Sequence, residues 1–120
     1  MSDTPRVVVT GMGAVTPLGN SVSELWNGIL EARSAAGPIS RFDASTYPVR
    51  FAAEVRDFDP LRYFERKEAR RTDRVIQYTL AAALEAQAMS GLEITPENAE
   101  RVGVVIGSGF GGVDTISQGF

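Results

Sequence analysis

Arg6-Val-Val-Val-Thr-Gly-Met-Gly-Ala-Val-Thr-Pro-Leu-Gly-Asn20 decides how this chain reads. Val7 to Val9 with Thr10 form a short β-branched run of the kind that is buried on both faces of a parallel sheet, and Gly11 and Gly13 end it. A buried strand that runs straight into a loop punctuated by Gly and Pro brings backbone amides to the edge of a sheet, where sites are built. Ser21-Val-Ser-Glu24 then has capping-box spacing, in which the Ser21 hydroxyl and the Glu24 carboxylate satisfy each other's free backbone N–H groups at a helix start. Val22, Leu25, Trp26, Ile29 and Leu30 fall on one helical stripe, and Gly37-Pro38 is expected to stop the helix. The pattern predicts an amphipathic helix covering a sheet.

Outward from that stretch, residues 39–60 read as loop, with Arg41-Phe-Asp43, Tyr47-Pro48 and Asp57-Phe-Asp-Pro60, except for a short strand expected within Phe51 to Val55. From Leu61 the chain turns helical, first as a charged segment from Phe64 to Arg71 and then from Thr72 to Ser90. Thr72 or Asp73 can cap that second helix and Gly91 can end it. Its stretch from Thr79 to Ala88 is mostly Ala and Leu, which suits a helix packed close against other elements. Thr95-Pro96 opens a further turn. Val102 to Ile106 form a second buried strand that runs into Gly107-Ser-Gly-Phe-Gly-Gly112, and Val113, Ile116 and Phe120 have helical spacing up to the last residue, so that this element is expected to be cut rather than finished. Strands alternating with helices indicate an α/β sheet with parallel pairs.

Composition narrows the function. The chain of 120 residues has no Cys and no His and a formal net charge of −3. It therefore holds no disulfide, thiolate metal site or imidazole, and offers no global reason to bind nucleic acid or a membrane. Met-Ser-Asp-Thr-Pro-Arg has neither the basic start nor the apolar core of a signal peptide, so a cytoplasmic protein is expected. Among its carboxylates and hydroxyls no spacing builds a catalytic triad or metal site. Trp26, Tyr63 and Tyr78 are expected to pack.

Two segments carry more. Gly107-x-Gly109-x-x-Gly112, after a strand and before a helix, formally satisfies the dinucleotide-binding fingerprint, which makes an NAD-binding module through Gly107, Gly109 and Gly112 one reading. A tight turn needing positive φ is the plain structural one. Six of the twelve cations, Arg62, Arg66, Lys67, Arg70, Arg71 and Arg74, fall in one stretch opposed only by Glu65, Glu68 and Asp73. Such a run is commonly a solvated helix face with internal pairs from residues such as Glu65.

Arg6 to Asn20, Arg66-Lys-Glu-Ala-Arg-Arg-Thr-Asp73 with Gln77-Tyr78, and Arg101-Val-Gly-Val-Val-Ile-Gly-Ser-Gly-Phe-Gly-Gly112 together resemble, in order, the beta-ketoacyl-acyl-carrier-protein synthases. These are the condensing enzymes of fatty acid synthesis, and the middle motif is similar to their elongating, type II branch. The resemblance implies a thiolase-like α/β fold, of which residues 1–120 would be the N-terminal portion, an incomplete parallel or mixed sheet with covering helices, truncated before the catalytic cysteine. It implies an enzyme that moves an acyl group from the phosphopantetheine of acyl carrier protein to a cysteine thiolate and condenses it with malonyl carrier after decarboxylation, without a further cofactor. The segment itself, lacking that cysteine and the family's two histidines, is expected to be inactive, with no catalytic residue of its own.

By the same resemblance Lys67, Arg70 and Arg71 belong to the surface that receives acyl carrier protein, whose recognition helix is acidic. Gly109 and Phe110 belong to the wall of the acyl pocket near a homodimer interface, where a phenyl ring would occupy space that a long chain needs. A polyketide ketosynthase, or its non-catalytic chain-length partner, is the alternative inside the family.

Overall fold

The computed structural model describes residues 4–119. Met1 to Asp3 and Phe120, and with Phe120 the last position of the Val113, Ile116, Phe120 pattern, lie outside the described residues.

Ser21 starts the first helix, α1 (Val22–Leu30), by accepting the Glu24 amide on its hydroxyl at 3.2 Å. The Glu24 carboxylate reaches back to the Asn20 amide at 2.6 Å, one residue earlier than a strict capping box. The helix ends at Leu30 and not at Gly37-Pro38 as the sequence suggests. The Ile29 and Gly28 carbonyls accept the Ala32 and Arg33 amides, and Ala32 takes the left-handed conformation at φ 51°. That is the Schellman arrangement, which closes a helix by backbone bonds alone and here needs no glycine. Gly37 and Pro38 lie instead in strand β1 (Ala36–Pro38), which pairs antiparallel with β2 (Phe51–Ala53) in the register Ala36 to Ala53, Gly37 to Ala52 and Pro38 to Phe51.

A 3-10 turn at Pro60–Arg62, capped by the Asp59 carboxylate on the Leu61 amide at 2.9 Å, leads into the short helix α2 (Arg66–Ala69). Helix α3 (Arg74–Ser90) is the spine of the molecule. Of the two candidate caps, Thr72 and Asp73, it is Asp73 that accepts the Val75 amide at 3.2 Å, and Gly91 closes the helix in the left-handed region at φ 65°. Thr95 starts a turn stapled by Asn98, followed by a 3-10 turn at Ala99–Arg101, and α4 (Val113–Gln118) comes last. The small core lies along α3: Ala81 and Gln77 on it are buried, as is Ala44 in the loop between the strands. Phe58 stands between Tyr63, stacked at 5.7 Å, and Tyr78, met edge-on at 4.9 Å, so both tyrosines pack as expected.

Two expectations fail. The apolar runs at Val7 to Val9 and Val102 to Ile106 pair with no strand among the described residues, and the only sheet there is the antiparallel β1/β2 pair. Val7 is 93% and Val105 98% exposed. A β-branched run reports what a strand has to bury, but its ladder and its two covering layers come from other segments. Helix α1 likewise covers no sheet here: Ile29 and Leu30 face outward, and Trp26, expected to pack, is exposed. The Cα radius of gyration of 18.0 Å, against the roughly 14 Å of a compact chain of this length, agrees with apolar surface that is open.

Candidate functional site

The loop from Gly11 to Asn20 lies on α3, and its glycines are what allow the approach. A Cβ built on Gly13 would fall on the Ala82 carbonyl, and one on Gly11 on the Ala86 carbonyl and the Ser90 amide. Ala82, Ala86 and Ser90 are successive i, i+4 positions, so the small residues of α3 form the floor of the loop. Glu85, next to that row, ties both ends of the loop: one carboxylate oxygen accepts the Ala14 amide and the other the Val22 amide, each at 2.9 Å. Thr16 and Gly19 bond each other's backbone inside it, and the Asn20 side-chain amide donates to the Arg56 carbonyl at 2.9 Å. In the sequence Glu85 is only a polar residue within the alanine-rich stretch from Thr79 to Ala88. Its role depends on contacts 63 and 71 residues away, beyond the reach of any local pattern.

Lys67 lies on α2, and Arg70 and Arg71 on the turn between α2 and Asp73; all three are exposed. Among the described residues no ion pair ties these three side chains to a carboxylate, and the internal pair expected of Glu65 does not form. The charges of Arg70 and Arg71 stay available at an open cleft of about 780 Å³, which they help to line with Arg74, Asp57, Phe58 and Tyr78. Arg74, by contrast, is engaged with Asp114 at 3.6 Å, and Arg41 closes on the same carboxylate with two bonds of 3.0 and 2.8 Å.

Asp73 joins this cationic turn to the glycine segment. Its Oδ1 caps α3, and its Oδ2 accepts the Thr115 hydroxyl at 2.7 Å and the Thr115 amide at 3.1 Å. The Thr115 hydroxyl first, and then the Val75 amide, hold the Asp73 carboxyl below the usual range of an aspartate. Beneath the segment an apolar groove of about 560 Å³ runs between α3 and α4, lined by Val75, Ile76, Thr79, Ile106 and Ile116 among others. Gly109 and Phe110 do not line it. Both are exposed, Phe110 by 80%, at the outer side of the loop.

The dinucleotide reading of Gly107, Gly109 and Gly112 finds no support in this geometry. Gly112 caps α4 at φ 86°, and the first turn of α4 carries Asp114, an anion of its own where a pyrophosphate would sit. Among the described residues no group of His, Cys, Asp or Glu is arranged to hold a metal ion, and no helix is long and apolar enough to cross a membrane.

The chain that lays this loop on an alanine-rich helix, with a cationic turn and a second glycine segment beside it, belongs to the beta-ketoacyl synthase family. Residues 4–119 match the family's N-terminal domain model. The relatives are specific. The chain is 50% identical over 115 residues to 3-oxoacyl-[acyl-carrier-protein] synthase 2 of Coxiella burnetii (strain RSA 493 / Nine Mile phase I), with 96% of the chain aligned. It is 53% identical over 114 residues, 95% of the chain, to the protein of the same name from Vibrio harveyi. It spans 28% of the length of each. Among solved structures, the ishigamide ketosynthase/chain length factor superposes on 72% of the chain and 21% of its own with a TM-score of 0.64 at 37% identity. The fold expected from the sequence is thereby that of a ketosynthase N-terminal domain, seen among the described residues as helices and one open two-stranded sheet.

Proposed function

We propose that this chain is the N-terminal part of a 3-oxoacyl-[acyl-carrier-protein] synthase, with residues 1–120 preceding the catalytic cysteine. The observation that carries the reading is identity of 50–53% to curated synthases of that name, sustained over 95–96% of the chain. The intact enzyme takes an acyl group from carrier protein onto a cysteine thiolate and condenses it with malonyl carrier, carbon dioxide leaving as the new carbon–carbon bond forms. A thiolate and imidazoles are outside the composition of this chain, which has no Cys and no His. The segment's share is therefore positional: loop backbone, carrier surface and pocket wall. Substrates arrive on the phosphopantetheine of the carrier, and no further cofactor is required.

Lys67, Arg70 and Arg71 dock the acidic carrier. Their exposure and their freedom from internal ion pairs support this role, because a patch that is not already neutralised steers an oppositely charged partner. Gly109 and Phe110 form acyl-pocket wall in the intact homodimer. The exposed ring has no partner role inside this segment that would compete with that assignment. The enzyme works in the cytoplasm and binds neither nucleic acid nor membrane, in keeping with a net charge of −3. The likeness to the ishigamide ketosynthase/chain length factor supports a second reading, a polyketide ketosynthase or its chain-length partner, at the lower identity of 37%.

The test is condensation by the intact synthase. Supplied with acyl carrier and malonyl carrier, it should release carbon dioxide and give a 3-oxoacyl thioester by mass spectrometry. Stable malonyl carrier and no new thioester would contradict the enzyme reading and favour the chain-length partner.

A further inference from the structure

Among the described residues Gln77 is the only buried polar side chain, 8% exposed. It sits near the start of α3 and points back at the cationic turn. Its Nε2 donates to the Ala69 carbonyl at 2.8 Å and to the Thr72 carbonyl at 3.0 Å, so both amide hydrogens are used. Those two carbonyls bracket Arg70 and Arg71. One belongs to the last residue of α2 and the other to the residue just before the Asp73 cap.

The turn needs such a tie. Helix α2 has four residues, too few to offset the cost of nucleating a helix, and its last carbonyls have no partners inside it. Its own closing bonds are few: the Arg70 amide reaches the Arg66 carbonyl at a long 3.4 Å, and the Arg71 amide reaches the Glu68 carbonyl at 2.9 Å. The Thr72 hydroxyl adds one bond to the Glu68 carbonyl at 2.9 Å. Of these ties only the Gln77 amide connects the turn to the long helix behind it. A buried amide is costly unless it is hydrogen-bonded, and both hydrogens of this one are, so the position is accounted for by what the amide holds.

We propose that Gln77 is the positioning residue of the cationic patch: by clamping the Ala69 and Thr72 carbonyls it holds Arg70 and Arg71 in the geometry in which they meet an acidic carrier. The inference rests on the docking reading of Lys67, Arg70 and Arg71. It adds a specificity-determining residue that touches no partner and acts through two arginines.

The experiment uses Gln77→Met in the intact synthase, which keeps the side-chain volume and removes the donors. Thr72→Val, which loosens the same turn without touching the buried amide, guards against misfolding of the first variant. Three quantities are read: hydrogen exchange of the 70–73 amides, KM for an acyl group on carrier protein, and kcat/KM for the same acyl group on free pantetheine. Exchange should rise about tenfold, the equivalent of one net hydrogen bond. The carrier KM should rise several-fold with both variants while the pantetheine thioester is used unchanged. In an Arg70→Ala/Arg71→Ala background Gln77→Met should add nothing further. Equal losses on both substrates, or an additive loss in that background, would show a merely structural glutamine and overturn the proposal. A carrier KM raised by the arginine pair but unmoved by Gln77→Met would refute positioning alone. A carrier KM unmoved by the arginine pair would refute docking, and positioning with it.

Discussion

Glu85 accepts the Ala14 amide at 2.9 Å across 71 residues of sequence, and its second oxygen takes the Val22 amide at the same distance. One carboxylate on the central helix thus fixes both ends of the loop that opens the domain. Each bond is charge-assisted, and the group is partly buried. Glu85→Ala should therefore destabilise the intact synthase by roughly 2 kcal/mol, and Glu85→Gln, which retains one acceptor oxygen, by less. Denaturant midpoints within error of wild type for Glu85→Ala would show the clasp to be dispensable.

Gly13 tests the floor of the same loop. Its absent Cβ would overlap the Ala82 carbonyl, a backbone atom that cannot turn aside. Gly13→Ala should cost roughly 1–3 kcal/mol by forcing loop and helix apart. Pairing it with Ala82→Gly should not rescue stability, because the obstacle is backbone and not the Ala82 side chain. Rescue by that second substitution would mean that the loop meets α3 differently.

What could be read in the sequence was local. Asp73 and Gly91 as the ends of α3, Ser21 as the cap of α1, and the strand near Phe51 follow from residue chemistry within a few positions. The end of α1 falls short of Gly37-Pro38 because a Schellman closure at Ala32 is made of backbone bonds and carries no glycine signature. The composition of Val7 to Val9 and Val102 to Ile106 encodes burial, and among the described residues no strand pairs with either run. At the site, the charges of the 62–74 segment were legible and their exposure followed. The contacts of Glu85 and Gln77 are not, since a polar residue in a helix does not announce which carbonyl or amide it meets.

Residues 1–120 expressed alone should therefore melt without a sharp transition. Val7, Val9, Val104 and Val105 are all more than four-fifths exposed, and a chain that leaves such runs open lacks the burial that makes unfolding cooperative. Calorimetry and a hydrophobic dye report it: a broad, low-enthalpy trace with dye bound at low temperature is expected. A sharp two-state transition in a monomeric sample would refute the claim that these runs need further partners.

Phe110 should set primer length. If its exposed ring meets the acyl channel of the intact enzyme, chains long enough to reach it must displace it, and each methylene gained or lost is worth about 0.8 kcal/mol. Phe110→Ala should raise kcat/KM for long primers and leave short ones nearly unchanged. Identical length profiles for the two proteins would remove Phe110 from the pocket wall.

The central claim is that the turn from Lys67 to Arg71 receives an acidic carrier, and charge reversal tests it most directly. Lys67→Glu, Arg70→Glu and Arg71→Glu together, in the intact synthase, should leave the melting temperature nearly unchanged, because exposed helix charges contribute little to stability. The KM for acyl carrier at low salt should rise by about tenfold or more, and the gap from wild type should narrow as salt screens the native patch. An unchanged carrier KM at low ionic strength would contradict the account and leave the segment a solvated helix face.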